Sequence, residues 1–119
     1  MTLAGAGRCE DALTASEEAV SVYRQLAADH SEAFTPGLAA VLIEQGVLLT
    51  ALGRHHDALS ADREAVDLYR ILHGAQPEAF RENRLKALRS LATDLRALNL
   101  GNEANQVERE VMALTDETL

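Results

Sequence analysis

Apolar residues recur three and four positions apart along almost the whole chain. Ala12, Ala15, Ala19, Val22, Tyr23 and Leu26 form one such stripe, with Glu17, Glu18 and Arg24 off it. Leu85, Leu88, Leu91, Ala92, Leu95 and Leu98 form another. This spacing belongs to a helix with one buried face, whereas a half-buried strand would alternate every second residue. Between the two stripes lies "LAAVLIEQGVLLTAL", residues 38–52, which is apolar nearly all round. A helix of that kind is normally covered on every side. Its functional alternative is the apolar floor of a groove awaiting a partner segment.

The stops are legible as well. Gly53 follows Leu52 where a helix would end in a left-handed residue, and Asn99 takes the equivalent place after Leu98. Thr35 before Pro36 suits an N-cap with proline in the first turn, and Gln76 before Pro77 is a weaker version. Phe34 and Phe80 stand next to these turns, placed to staple two helices together. The spacing therefore predicts five helices, near 8–29, 36–52, 54–74, 78–98 and 102–115. The links are short, so neighbours run antiparallel.

The same text is also written twice. "GRCEDALTASEEAVSVYRQL" (7–26) returns 46 positions later as "GRHHDALSADREAVDLYRIL", and residues 7–34 against 53–80 give fifteen identities in twenty-eight pairs. At the same offset Leu42 meets Leu88, Gly46 meets Ala92, Leu49 meets Leu95 and Leu52 meets Leu98. A third, decayed copy carries Ala104, Arg109 and Glu110 against Ala58, Arg63 and Glu64. Repetition at a fixed stride marks a stacked architecture, in which a helix pair shelters its apolar side against its sibling. The reading is an all-α solenoid of antiparallel helix pairs in one domain, 1–119. It holds a partial repeat 7–34, a repeat 35–80 and a partial repeat 81–115.

Composition narrows the chemistry. With two Tyr, two Phe and no Trp among 119 residues, the core must be built from Leu, Ala and Val. Nineteen acidic against eleven basic residues give a formal charge of −8, which repels a phosphate backbone and makes nucleic acid a poor partner. The lone Cys9 forms no internal disulfide. The start "MTLAGAGR" lacks the basic and apolar segments of a secretion signal, and no apolar run approaches the roughly 18 residues of a membrane span. These features lead to the expectation of a cytoplasmic protein without a membrane partner.

The repeat resembles the tetratricopeptide family. That pattern asks for large apolar, Leu, small and aromatic or Leu positions in a first helix, and for Ala, aromatic and Ala in a second. Leu42, Gln45, Gly46 and Leu49, then Ala58 and Ala65, fill one copy. Leu88, Leu91, Ala92 and Leu95, then Ala104 and Val111, fill the next. The small residues Gly46 and Ala92 let the paired helix approach. Gln45 replaces a usual Leu, Asp62 and Glu108 replace an aromatic, and the stride is 46 rather than about 34. The longer form is similar to bacterial arrays in which "ALxAxxEAVxLYRxL" alternates with "LGxxLxxLGR". The resemblance implies a right-handed superhelix and a non-enzymatic scaffold that binds a protein or peptide.

It also implies that the first helix of each pair lines the concave groove. By position these residues are Ala40, Ile43, Val47 and Thr50, then Lys86, Arg89, Thr93 and Arg96. Arg81, Arg84, Lys86, Arg89 and Arg96 gather five of the eleven basic residues within sixteen positions. Such a strip either balances nearby carboxylates or receives an acidic peptide through forked arginine hydrogen bonds. The carboxylate clamp of some family members is unlike this chain, because Ile43 and Val47 stand where it needs polar groups. "LAGAGR" matches "LLTALGR" (48–54), the end of a first helix, so the opening helix lacks a partner on one side. Two readings follow: a piece of a longer array, or a homodimer formed through open ends.

Catalytic and metal chemistry find no foothold in the sequence. His55 and His56 are adjacent, so their rings diverge and no third ligand has metal spacing. Cys9 lacks a matched base, and Glu17–Glu18 and Asp62–Glu64 read as solvated faces. There is no "GxxxxGK", "HExxH" or "GxSxG". The expectation is no enzyme activity, no cofactor and no metal.

Overall fold

The computed structural model describes residues 3–75 and 80–116. They form α1 (Leu3–Asp29), α2 (Ser31–Ala51), α3 (His55–Ala75), α4 (Arg81–Ala97) and α5 (Gly101–Asp116). Each helix packs on the next, and α2 also touches α4. The molecule measures 42 × 38 × 21 Å. A helix with its side chains is about 10–12 Å across, so the short dimension holds two layers. One layer is α2 and α4; the other is α1, α3 and α5. This is the all-α helical repeat that the spacing predicts.

The repeat is reproduced down to the backbone of its turns. Gly53 has φ +74° and Asn99 has φ +63°. After α2, the Arg54 N–H donates to the Leu49 carbonyl at 2.8 Å and the Gly53 N–H to Thr50 at 3.0 Å. After α4, Leu100 donates to Leu95 at 2.8 Å and Asn99 to Arg96 at 3.1 Å. Both helices therefore close with the same pair of crossed hydrogen bonds, which satisfies carbonyls that a helix end leaves open.

Two starts differ from expectation. α2 begins at Ser31, not Pro36, so Thr35 is no N-cap and Pro36 lies inside the helix. His30 alone separates α1 from α2, and the chain turns back into helix at once. Pro36 then removes one backbone hydrogen bond rather than setting the start. α4 begins at Arg81, after Phe80, without a side-chain cap. Gln76 and Pro77 lie outside the described residues. Of the two aromatic staples, Phe80 tilts against Tyr69 at 6.2 Å between ring centres, while Phe34 meets His30 at 6.5 Å.

The core runs between the layers, with Leu42, Val66, Tyr69, Leu88 and Leu95 essentially sealed from water. α2 packs against α1, α3 and α4, which answers its all-round apolar pattern: it is the central helix. It is also the one helix among the described residues long and apolar enough to cross a membrane. That corrects the expectation that no apolar run approaches this length. In this fold its apolar surface is spent on three neighbouring helices.

Candidate functional site

Curvature follows from which layer touches itself. α2 and α4 meet through their backbones' near approach, whereas no such approach joins α1, α3 and α5 among the described residues. The outer layer is bridged by long side chains instead. Arg24 Nη2 on α1 donates to Glu64 on α3 at 2.7 Å. Arg63 and Arg70 on α3 donate to Glu103 and Glu110 on α5, each at 2.7 Å. The layer with the closer helices is the shorter side, so the stack bends toward α2 and α4.

On that inner side the expected groove residues separate. Val47 is 45% exposed. With Ala12, Glu44, Leu48 and Lys86 it borders a hollow of about 340 Å³. Ala40 is half-buried. Ile43 is 3% exposed and belongs to the core, so it does not line an open groove. Arg89, Thr93 and Arg96 border a different hollow of about 440 Å³, with Ala92, Glu108, Val111 and Met112. This second hollow lies between α4 and α5.

The basic strip is largely self-neutralised. Arg96 forms a fork on Glu108 at 2.6 and 2.8 Å, and Arg84 reaches Glu110 at 2.7 Å. Arg81 is engaged as well. Glu110 thus receives both Arg70 and Arg84, which hold its carboxyl below the usual range, Arg70 foremost. Among the described residues, Lys86 and Arg89 are the members of the strip that remain exposed and without an ion pair.

The polar network that sequence reasoning missed sits just beneath α2 and α4. Asp62 and Asp94 are both fully buried. Asp62 is therefore no solvated face. Asp94 on α4 accepts from Thr50 Oγ at 2.8 Å, and His55 Nδ1 lies 2.9 Å from the same carboxylate. Thr50 accordingly points between the helices rather than into a groove, and His55 is tied down instead of lying free on the surface. Ser90 donates to Asp62 Oδ2 at 3.1 Å, while Asp62 Oδ1 has no donor. Desolvation foremost, and then the neighbouring Asp94, push the Asp62 carboxyl up to about 8.

Gly46 makes room for this. A Cβ there would lie 2.1 Å from Asp62 Oδ1. The small residue serves close approach as expected, but what approaches is a carboxyl group. The available signal was the pairing itself: Asp62 breaks the repeat's aromatic position in the same copy where the small residue is glycine.

Among the described residues, no three His, Cys, Asp or Glu side chains are grouped to hold a metal ion. The hollows on both sides of α4 present apolar floors with a few charges at the rim, which suits holding a segment of chain. Residues 38–78, covering most of α2 and all of α3, match the family model described as tetratricopeptide repeat. No curated protein and no solved structure matches the chain. Repeats of this kind generally mediate protein–protein interaction and are typically non-enzymatic. Over residues 38–78, the α2–α3 hairpin is thus similar to a tetratricopeptide repeat.

Proposed function

We propose that the chain is a non-enzymatic protein- or peptide-binding module, and that the inner side formed by α2 and α4 receives the partner. One observation supports this above the others: Val47 stays 45% exposed on a helix that buries most of its apolar surface, beside an open hollow with Lys86 at its rim. An apolar side chain from the partner fills that hollow, and a carboxylate nearby meets Lys86 and Arg89. The acidic character of the ligand therefore rests on these two cations rather than on the whole basic strip. The long-stride bacterial arrays that the sequence resembles, and a cytoplasmic setting, belong to the same proposal.

Selection of a random peptide library on the wild-type protein, with counter-selection on a Val47→Glu/Lys86→Glu variant, tests it. Enriched peptides should combine an apolar anchor with acidic residues and lose binding to the variant. Peptides that bind both proteins equally would remove this hollow as the site.

A second reading is self-association. Val22 on α1 is 55% exposed and Met112 on α5 is 64% exposed, so apolar side chains face solvent on both end helices. Sedimentation velocity at micromolar concentration decides it: a monomer ends this reading, and a dimer that dissociates on Val22→Glu or Met112→Glu supports it.

A further inference from the structure

Two acids buried together cannot both be ionised at modest cost, because each charge is desolvated and each repels the other. Ser90, which donates to Asp62, and Asp94 stand one turn apart on α4, while Gly46 and Thr50 face the two acids from one turn of α2, so the carboxyl groups lie side by side. The surroundings decide which keeps a proton. Asp94 has Thr50 and His55 as partners, and both stabilise a charged carboxylate. Asp62 receives Ser90 alone, and its Oδ1 is sealed against Gly46 without a donor. The proton therefore resides on Asp62, the acid with the fewer donors.

We propose that Asp62 and Asp94 form a proton-held latch between consecutive helix pairs: α3 is fastened to α4 while the proton stays, and the junction loosens when it leaves. The inference does not depend on the binding reading, although the latch lies under the two helices of the inner side. The ionisable groups around Asp62 are few among the described residues. α4 contributes Asp94, α3 contributes His55 beyond Asp94, and α2 contributes Gly46 and Thr50, neither of which titrates. Deprotonation leaves two adjacent buried anions with one imidazole beside them. Separation of α3 from α4, with entry of water, relieves both.

The sign follows from proton linkage. Asp62 keeps its proton in the folded chain to a higher pH than in the unfolded chain. Its contribution is whole below the ordinary carboxyl range, declines as pH rises, and is gone above about 8. His55 contacts the same pair of acids through Asp94, so the reference is an Asp62→Asn variant, which keeps His55, the shape and a donor toward Asp94. Urea unfolding followed by circular dichroism at pH 5, 7 and 9 compares the two. The wild-type unfolding constant should rise relative to the variant by up to roughly tenfold per pH unit across this interval, then level off. Parallel profiles overturn the latch. Should Asp62→Asn fail to fold, the wild type decides alone. The Asp62 carboxyl carbon resonance, followed by NMR from pH 3 to 10, should move on the alkaline side of neutrality. Movement complete below pH 5 overturns the proposal.

Discussion

α1 and α3 are written in nearly the same residues, yet they live in different surroundings. Ala58 and Tyr69 on α3 are wholly buried, whereas their repeat equivalents on α1, Ala12 and Tyr23, are exposed and half-buried. Ala65 is sealed while Ala19 is only partly covered, and Leu26 remains 36% exposed. The difference is not in the helices. α3 has α2 on one side and α4 on the other, while among the described residues α1 packs on α2 alone. Burial in a stacked fold is a property of the neighbour, and an identical stripe is core in one copy and surface in the next.

Matched substitutions press on this contrast. The largest effect is expected for Ala58→Glu, which forces a charge into a site with no space and no partner. It should cost about 4 kcal/mol or more, enough to unfold the chain, while Ala12→Glu stays within about 0.5 kcal/mol. Chemical denaturation of both variants checks this, and equal losses would mean that α1 is covered as α3 is. Next comes Tyr69→Ala, expected to cost about 3–5 kcal/mol, with Tyr23→Ala at roughly half that. A larger loss at Tyr23 would reverse the comparison.

Gly46→Ala sharpens it from the other helix. The added methyl meets Asp62, a short buried side chain with nowhere to go, so the loss should be about 1–3 kcal/mol despite better helix propensity. The equivalent position in the next copy is already Ala92, facing the α5 side where Glu108 turns out to Arg96. Ala92→Gly should therefore cost only about 0.5–1 kcal/mol, the backbone term.

The smallest effects belong to the outer ion pairs. Arg24–Glu64 and Arg70–Glu110 are one pair at two repeats, 46 positions apart. Their exposed arginines limit each to about 0–1 kcal/mol. Arg70→Ala should exceed Arg24→Ala, because Glu110 is the more enclosed acid, at 24% exposure against 35%. The pH dependence has a definite sign. Glu110 is held below the ordinary carboxyl range, so its contribution is present above that range and lost as pH falls through the lowered value. Acid melts of Arg70→Ala should show less of this loss, and added salt should shrink the difference between variant and wild type.

Much of this architecture could be read before any coordinates. The left-handed Gly53 and Asn99, the helix stripes and the stride of 46 were all visible because each depends on local sequence. The start of α2 was not, since proline marks a helix start only where a longer loop precedes it, and here His30 is the whole link. The groove was legible in outline alone. Ile43 and Thr50 sit on the stripe that meets the following helix pair, and a one-dimensional pattern does not say which apolar or polar side a neighbour will occupy. Asp62 and Asp94 were missed for a related reason: an acid 32 residues from another gives no periodic signal. The repeated Arg24/Arg70 and Glu64/Glu110 identities did carry a signal, and it pointed to the outer straps.

Those straps give the molecule unequal sides. The inner helices are held by shape, which resists both stretching and shear, while the outer ones are moored by flexible arms that lengthen with little penalty. Such a body has a stiff front and a sprung rear, so strain applied to the stack falls first on the ionic tethers joining α1, α3 and α5.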